Sequence, residues 1–462
     1  MRSETGNRHT GIVAGDSGTV VIEAEGVNAA FNAAAVERLA LQGPAWLGDL
    51  RRESWAVYER TPLPTTSLEE WRYTEVSQLS LDAYRLTEEP LTGAPSGNGG
   101  NPGVASARAM LEGREASGRV VIVDGALVEA SLDRSLEEQG VVLSDLLSAA
   151  ESHPELVREY LGREVTPEFS KFAALNGALW TSGVFLYVPR GVQIDKPIRV
   201  ARWLTRSGIA IFPRTLVIAE PEARIDYVEE FASEDFEQPV LSCGAVEVIA
   251  KDAAQVHYVA LQRWGRGVRH LSMQKTIASR DADLDTLVVN LGSDVARVDL
   301  HAWLDGPGAR SDMLGLYFAE GDQHFDHNTR QDHKSPNAQS DLLYKGALYD
   351  SSRAVFRGII RVHPGAQQTD AYQTNRNLLL SNDARADSLP NLEIEADDVK
   401  CSHGATVGQL DEEELFYLMA RGIPRAQAER LVVFGFFGQV LDRLPMPGVV
   451  DELREAITAK IG

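Results

Sequence analysis

The chain has 462 residues, 44% of them hydrophobic, and its 67 acidic against 45 Lys and Arg residues give a formal charge of −22, which opposes phosphate backbones and argues against nucleic acid as a general partner. Its longest apolar run, residues 431–437, is about a third of a bilayer span, so no membrane crossing is expected. With Cys243 and Cys401 its only cysteines, a disulfide framework is excluded, and polar, glycine-rich residues 1–18 in place of a signal sequence lead us to expect a cytoplasmic protein.

Residues 1–28 read as a disordered polar tail, and residues 29–117 as a helical region carrying a flexible linker. Helical patterning runs to about Tyr73 and ends in PTTSLEEWRYTEVSQL, where Ser67 and Glu70 have the S-x-x-E spacing of a capping box. The linker, TEEPLTGAPSGNGGNPGVAS at 87–106, has glycine and proline without apolar rhythm. Its GNGGNPG string is not placed between a strand and a helix, so it reads as an excursion rather than a phosphate loop. GRVVIVDGALVEASL then predicts strands, and LSDLLSAAESHPELVREYLG predicts a helix.

From Pro189 onward a turn-like element recurs: PRGVQID, PEARID, DAAQVH, DADLD, PGARSD, PNAQSD and PGAQQTD. Their starts, Pro189, Pro221, Asp252, Asp281, Pro307, Pro336 and Pro364, differ by 32, 31, 29, 26, 29 and 28, which is an internal repeat. Short runs such as RTLVIAE, GAVEVIA, DTLVVNLG and DMLGLYFA flank these turns; they are too short for helices and read as strands. No stretch of helical length separates them, which disfavours a doubly wound α/β sheet. A mainly β solenoid over residues 118–400 meets these constraints, since stacked coils pair their strands along the axis; a sandwich of regular hairpins is the alternative. The exposed ends of a solenoid need caps.

Residues 401–462 look like such a cap. Asp411 fits an N-cap before Glu412, Glu413 and Glu414, Gly422 fits a C′ position, and Pro424 opens a second helix. There Val433, Phe437, Val440, Leu441 and Leu444 share a face, while Leu431, Phe434 and Phe436 lie off it. Apolar on several sides, this helix either packs on the solenoid end or offers a docking surface to another protein.

Cys401 stands beside Lys400, an electropositive setting that favours thiolate, and two residues before His403. In a strand the two side chains share a face, which permits nucleophile activation or soft-metal ligation. Two ligands do not complete a metal or cluster site, so other residues or another chain must supply the rest; a small buried cysteine with a hydrogen-bonded histidine is the plainer reading. His324, His327 and His333, among Asp322, Asp326 and Asp332 in DQHFDHNTRQDHKSP, are weaker metal-ligand candidates, with polar residues of a solenoid corner loop as their bland explanation. The chain has no G-x-x-x-x-G-K-[ST] loop, G-x-S-x-G elbow or C-x-x-C pair. No catalytic residues stand out, and no enzyme is expected.

Residues 370–423, DAYQTNRNLLLSNDARADSLPNLEIEADDVKCSHGATVGQLDEEELFYLMARGI, closely resemble the signature region of the SufB/SufD family of iron–sulfur cluster assembly proteins. EEWRYTEVSQL and SDLLYKGALYDSSRAVFRGIIRVHPGAQQTDAYQTNRN strengthen the match. Within the family, CSHGATVG and EEWRYT look like the SufD branch, whereas the SufB paralogue tends to carry an EHEAT string. The resemblance implies a right-handed parallel β-helix with helical regions at both chain ends. It further implies pairing with SufB, docking of the SufC ATPase through the C-terminal helices, and His403 and Cys401 at the SufB interface. There they would meet a nascent iron–sulfur cluster transiently, with no cofactor tightly bound to the isolated protein and a homodimer as its possible state. A SufB-like paralogue, a solenoid carbohydrate-active enzyme and a purely bracing subunit are the competing readings.

Overall fold

The computed structural model describes residues 30–86 and 102–461. The expected tail and residues 87–101 of the expected linker lie outside this range. The remainder of that linker is no excursion: Pro102–Ala109 is a helix, because proline fits the first helical position and alanines favour the rest.

Two parallel sheets face each other, and the chain alternates between them without crossover helices, giving a β-solenoid of about eight coils. The first sheet stacks from Gly183–Val188 to Arg385–Ile394, the second from Gly118–Val123 to Val399–Gln409. Each recurrent turn is one corner of a coil. Left-handed backbone occurs at Gly191, Glu222, Ala253, Asp281, Gly308, Asn337 and Gln368. The strain of that conformation is offset along the axis, because each such N–H donates to the turn of the next coil, as in Glu222 to Asp252 O at 3.0 Å and Ala253 to Arg280 O at 2.8 Å. An alanine follows at positions 223, 254, 282, 309 and 338, and every one is buried, since only a small side chain fits beneath the corner.

The interior changes character along the axis. Early coils are filled by residues such as Val246, Val248, Val256 and Leu284, later ones by His327, Gln331, Ser340, Gln373 and Asn375. Tyr317 and Tyr344 lie over glycines of the neighbouring strand: a Cβ on Gly346 would come within 1.8 Å of the Tyr317 ring, and one on Gly315 within 2.3 Å of Tyr344.

The outer face of the first sheet is covered by the N-terminal helices Ala33–Ala40 and Ala45–Arg60 together with Lys171–Leu179. The helix expected over LSDLLSAAESHPELVREYLG is interrupted. Val142–Asp145 is a strand, Asp145 caps Leu146–Ser152, and Pro154, which cannot sit inside a helix, starts Pro154–Tyr160. Nor do Ser67 and Glu70 form a capping box: Leu68 precedes a single 3-10 turn, Glu69–Trp71, with no side-chain cap. The EEWRYT stretch instead straps onto the first sheet, with Arg297 donating to Glu70 O at 2.7 Å while its guanidinium lies 4.0 Å over Trp71.

The C-terminal helices do not cap the solenoid end. Arg425–Leu441 and Pro447–Ile461 lie along the flank of the second sheet, where Val433, Phe437, Leu453 and Ile457 pack with Val259, Leu261, Val289 and Leu316. The physical reason is in the strands: the middle coils turn an apolar stripe outward that must be buried, whereas Val399–Gln409 turns out Ser402, Gly404 and Thr406. At the start of the solenoid, antiparallel strands Ala126–Leu132 and Val142–Asp145 close the sheets. At the far end both sheets stop in an edge that no strand among the described residues pairs.

Candidate functional site

Val399–Gln409 is paired on one side only, to Thr369–Leu379, with Cys401 opposite Ala371 and His403 opposite Gln373. Ala371 and Gln373 are buried inside the solenoid, so Cys401 and His403 face the mouth of the last coil. Cys401 is half-buried beside Ile360, Val362, Ala371 and Leu392, and His403 is exposed. Across the mouth stands Arg385–Ile394, whose other edge is also free. Pro390 sits within that strand, and edges are where a sheet tolerates proline; this was the available sequence signal for the open end.

The expectation of a thiolate is corrected. Burial pushes the Cys401 thiol above its ordinary value of 9.0, and the carboxylate of Asp370 on the adjacent strand pushes it further, against a smaller opposing effect of a backbone hydrogen bond at Ala371. Lys400, the register partner of Asp370 on the outer face of these strands, does not offset these effects. The resting group is therefore a thiol, which becomes a ligand when a metal ion displaces its proton. Alkylation of the native protein by iodoacetamide reports this site, because Cys243 is fully buried and its Sγ lies 3.6 Å from Phe172 O. We expect a rate midpoint above pH 9.0, and Asp370→Asn, which removes a charge that disfavours thiolate, to lower the midpoint and raise the rate at pH 7 about two- to threefold. An unchanged profile in the variant would remove Asp370 from this account.

The DQHFDHNTRQDH segment is not a corner loop but a strand, His324–His333, and its histidines do not converge. His324 faces outward, its Nε2 2.8 Å from Thr74 Oγ1 of the strap. His327 is inside, 2.7 Å from Asn290 Nδ2 and stacked on Tyr317; His333, also inside, pairs with Ser340 Oγ at 2.7 Å. Burial lowers all three, His327 and His333 to about 4, so they are neutral polar core groups. Among the described residues no three His, Cys, Asp or Glu side chains are grouped to hold a metal. Cys401 and His403 thus place one thiol and one imidazole at the mouth of the last coil, too few by themselves to complete a metal or cluster site.

The docking surface expected on the C-terminal helices extends to two residues the sequence reading did not single out, Phe416 and Tyr417. The short helix Glu412–Met419 leaves Phe416 70% and Tyr417 57% exposed, and Leu431 on the next helix is 51% exposed. Asp411 caps it as expected, accepting from Glu413 N–H at 2.8 Å, and Gly422 has the positive φ of a C′ residue.

Comparison with known proteins matches this architecture. Residues 202–436 match the family model described as SUF system FeS cluster assembly, SufBD core domain, and residues 111–200 match the SufBD protein N-terminal region. The iron-sulfur cluster assembly protein SufD of Bacillus subtilis is 31% identical over 429 residues, 91% of this chain and 95% of that protein. A SufBD family protein of Staphylococcus epidermidis is 31% identical over 71% of this chain and 70% of its own length, and one of Staphylococcus aureus 28% identical over 88% of each. A parallel solenoid carrying both family regions, with helices at each end of the chain, makes this chain a member of the SufBD family of iron–sulfur cluster assembly proteins.

Proposed function

We propose that the chain is a SufD-like scaffold subunit that pairs with SufB through the open end of its solenoid and docks the SufC ATPase on its C-terminal helices. The observation that carries this reading is the uncapped terminal coil. Two adjacent edge strands present unpaired backbone groups at a folded protein's surface, an arrangement that strand addition from a similar solenoid satisfies. In isolation a second copy would use the same edges.

The nascent cluster is cargo at this seam. Cys401 and His403 contribute a thiolate and an imidazole, and SufB supplies the remaining ligands. The chain performs no bond-making chemistry by itself. ATP-driven approach of two SufC subunits would strain the attached helices, which grip the second sheet through Arg443 to Asp312 at 2.6 Å and Lys345 to Phe436 O at 2.8 Å, and so rearrange the seam.

Co-expression with SufB and SufC tests the assignment of surfaces. Phe416→Asp with Leu431→Asp should reduce SufC retention at least about tenfold, the loss expected from charging an apolar contact, and leave SufB retention intact. Loss of SufB alone, or full retention of SufC, would contradict it.

A further inference from the structure

Arg51, on the helix Ala45–Arg60, is wholly buried where that helix meets Lys171–Leu179 and the first sheet. Its Nη1 donates to Trp180 O at 2.6 Å and to Ala178 O at 3.3 Å, and its guanidinium lies 4.5 Å over the Trp180 ring. Nε and Nη2 are shielded from solvent and have no acceptor among the described residues. Arg214, at the start of the strand Arg214–Ala219, stands nearby: its Nη1 donates to Asn176 Oδ1 at 3.0 Å and its Nη2 to Glu247 Oε2 at 2.8 Å, but its buried Nε has no acceptor either.

The charges do not balance. Among the described residues Glu247 is the one carboxylate within ion-pair distance of either guanidinium, and it also accepts from the backbone N–H groups of Gly162, Glu164 and Val165 at 3.0–3.1 Å. Two guanidiniums against one saturated carboxylate leave one net positive charge out of water, with N–H donors on both arginines unmet. Burial and the positive charge of Arg214 press the Arg51 pKa down to about 9, which still leaves it charged at neutral pH. An uncompensated buried charge is strongly destabilising, and lone waters would satisfy the donors without neutralising it.

We propose that Arg51 and Arg214 form a buried site for a small monovalent inorganic anion, chloride in the cell, which ties the N-terminal helices to the solenoid. The single uncompensated positive charge sets the valence of the anion at one, and Gly162 and Leu50 stand beside Arg214 Nη2.

Crystals of the full chain grown in sodium bromide, measured at the bromine edge, should show an anomalous peak within about 3.5 Å of Arg51 Nη2 and Arg214 Nε. In solution, replacing sodium gluconate by sodium chloride at constant ionic strength should raise the thermal midpoint, by about 1.5 °C for each tenfold increase in halide beyond half-saturation. Arg51→Met should abolish that dependence. Should this variant not fold, the wild-type bromide crystal decides alone. Absence of an anomalous peak, or equal midpoints in gluconate and chloride, would show that water occupies the site and overturn the proposal.

Discussion

Arg202→Met lowers the unfolding free energy by about 3–5 kcal/mol in equilibrium urea unfolding, the expected loss when one partner of a buried ion pair is removed. Arg202 and Glu229 face the interior of the first coils, where their side chains are only 2% and 1% exposed and their charged groups pair directly. Glu229 also accepts from Tyr258 OH at 3.1 Å and Thr215 Oγ1 at 3.2 Å, and Arg202 Nη2 donates to that same threonine at 3.1 Å. The surrounding lumen is otherwise built of residues such as Val200, Val217, Ile225 and Val256, a medium that leaves a lone carboxylate poorly solvated. The paired variant Arg202→Met/Glu229→Leu should recover most of the loss, because no charge is then stranded; the hydroxyls of Tyr258 and Thr215 account for the remainder. Equal stability of the single and paired variants would show that Glu229 finds solvent or a proton at no cost and that the pair does not organise these coils.

The corners of the solenoid were legible in the sequence because their requirement is local. A left-handed residue followed by a small one recurs at Glu222–Ala223, Ala253–Ala254, Asp281–Ala282, Gly308–Ala309 and Asn337–Ala338, and the count between them measures one coil. The strand His324–His333 was not legible, since both of its faces are polar. His327 and His333 point inward to Asn290 and Ser340, His324 and Asp326 outward to Thr74, and the partners that make such polarity tolerable lie between 7 and 252 residues away. The C-terminal helix betrayed its need for burial on several sides, but its resting place is fixed by Leu261, Val289 and Leu316, whose outward orientation no local pattern states. For the candidate site, the shared face of Cys401 and His403 follows from strand parity, while the state of the thiol depends on Asp370 in the neighbouring strand, which only the register reveals. The expected Lys400 influence failed because burial and the carboxylate of Asp370, the register partner of Lys400, set the state of the thiol.

The open end also carries the second large effect. In the chain alone, Val399–Gln409 and Arg385–Ile394 each direct one row of backbone groups to an already paired strand and the other row to solvent. Strand addition by SufB would bring that second row into a ladder and enclose Cys401 and His403 at the seam, turning an exposed imidazole and a half-buried thiol into members of a shared site. Exchange of the outward-directed amides should then slow by at least about 100-fold, as it does when an edge becomes an interior strand.

Hydrogen–deuterium exchange on the chain alone and in complex with SufB is the direct measurement. The account predicts new protection concentrated in residues 385–394 and 399–409, with the amides around His403 among the most slowed. Protection confined to the helical flank or the N-terminal cover, with both terminal strands exchanging as freely as before, would contradict it.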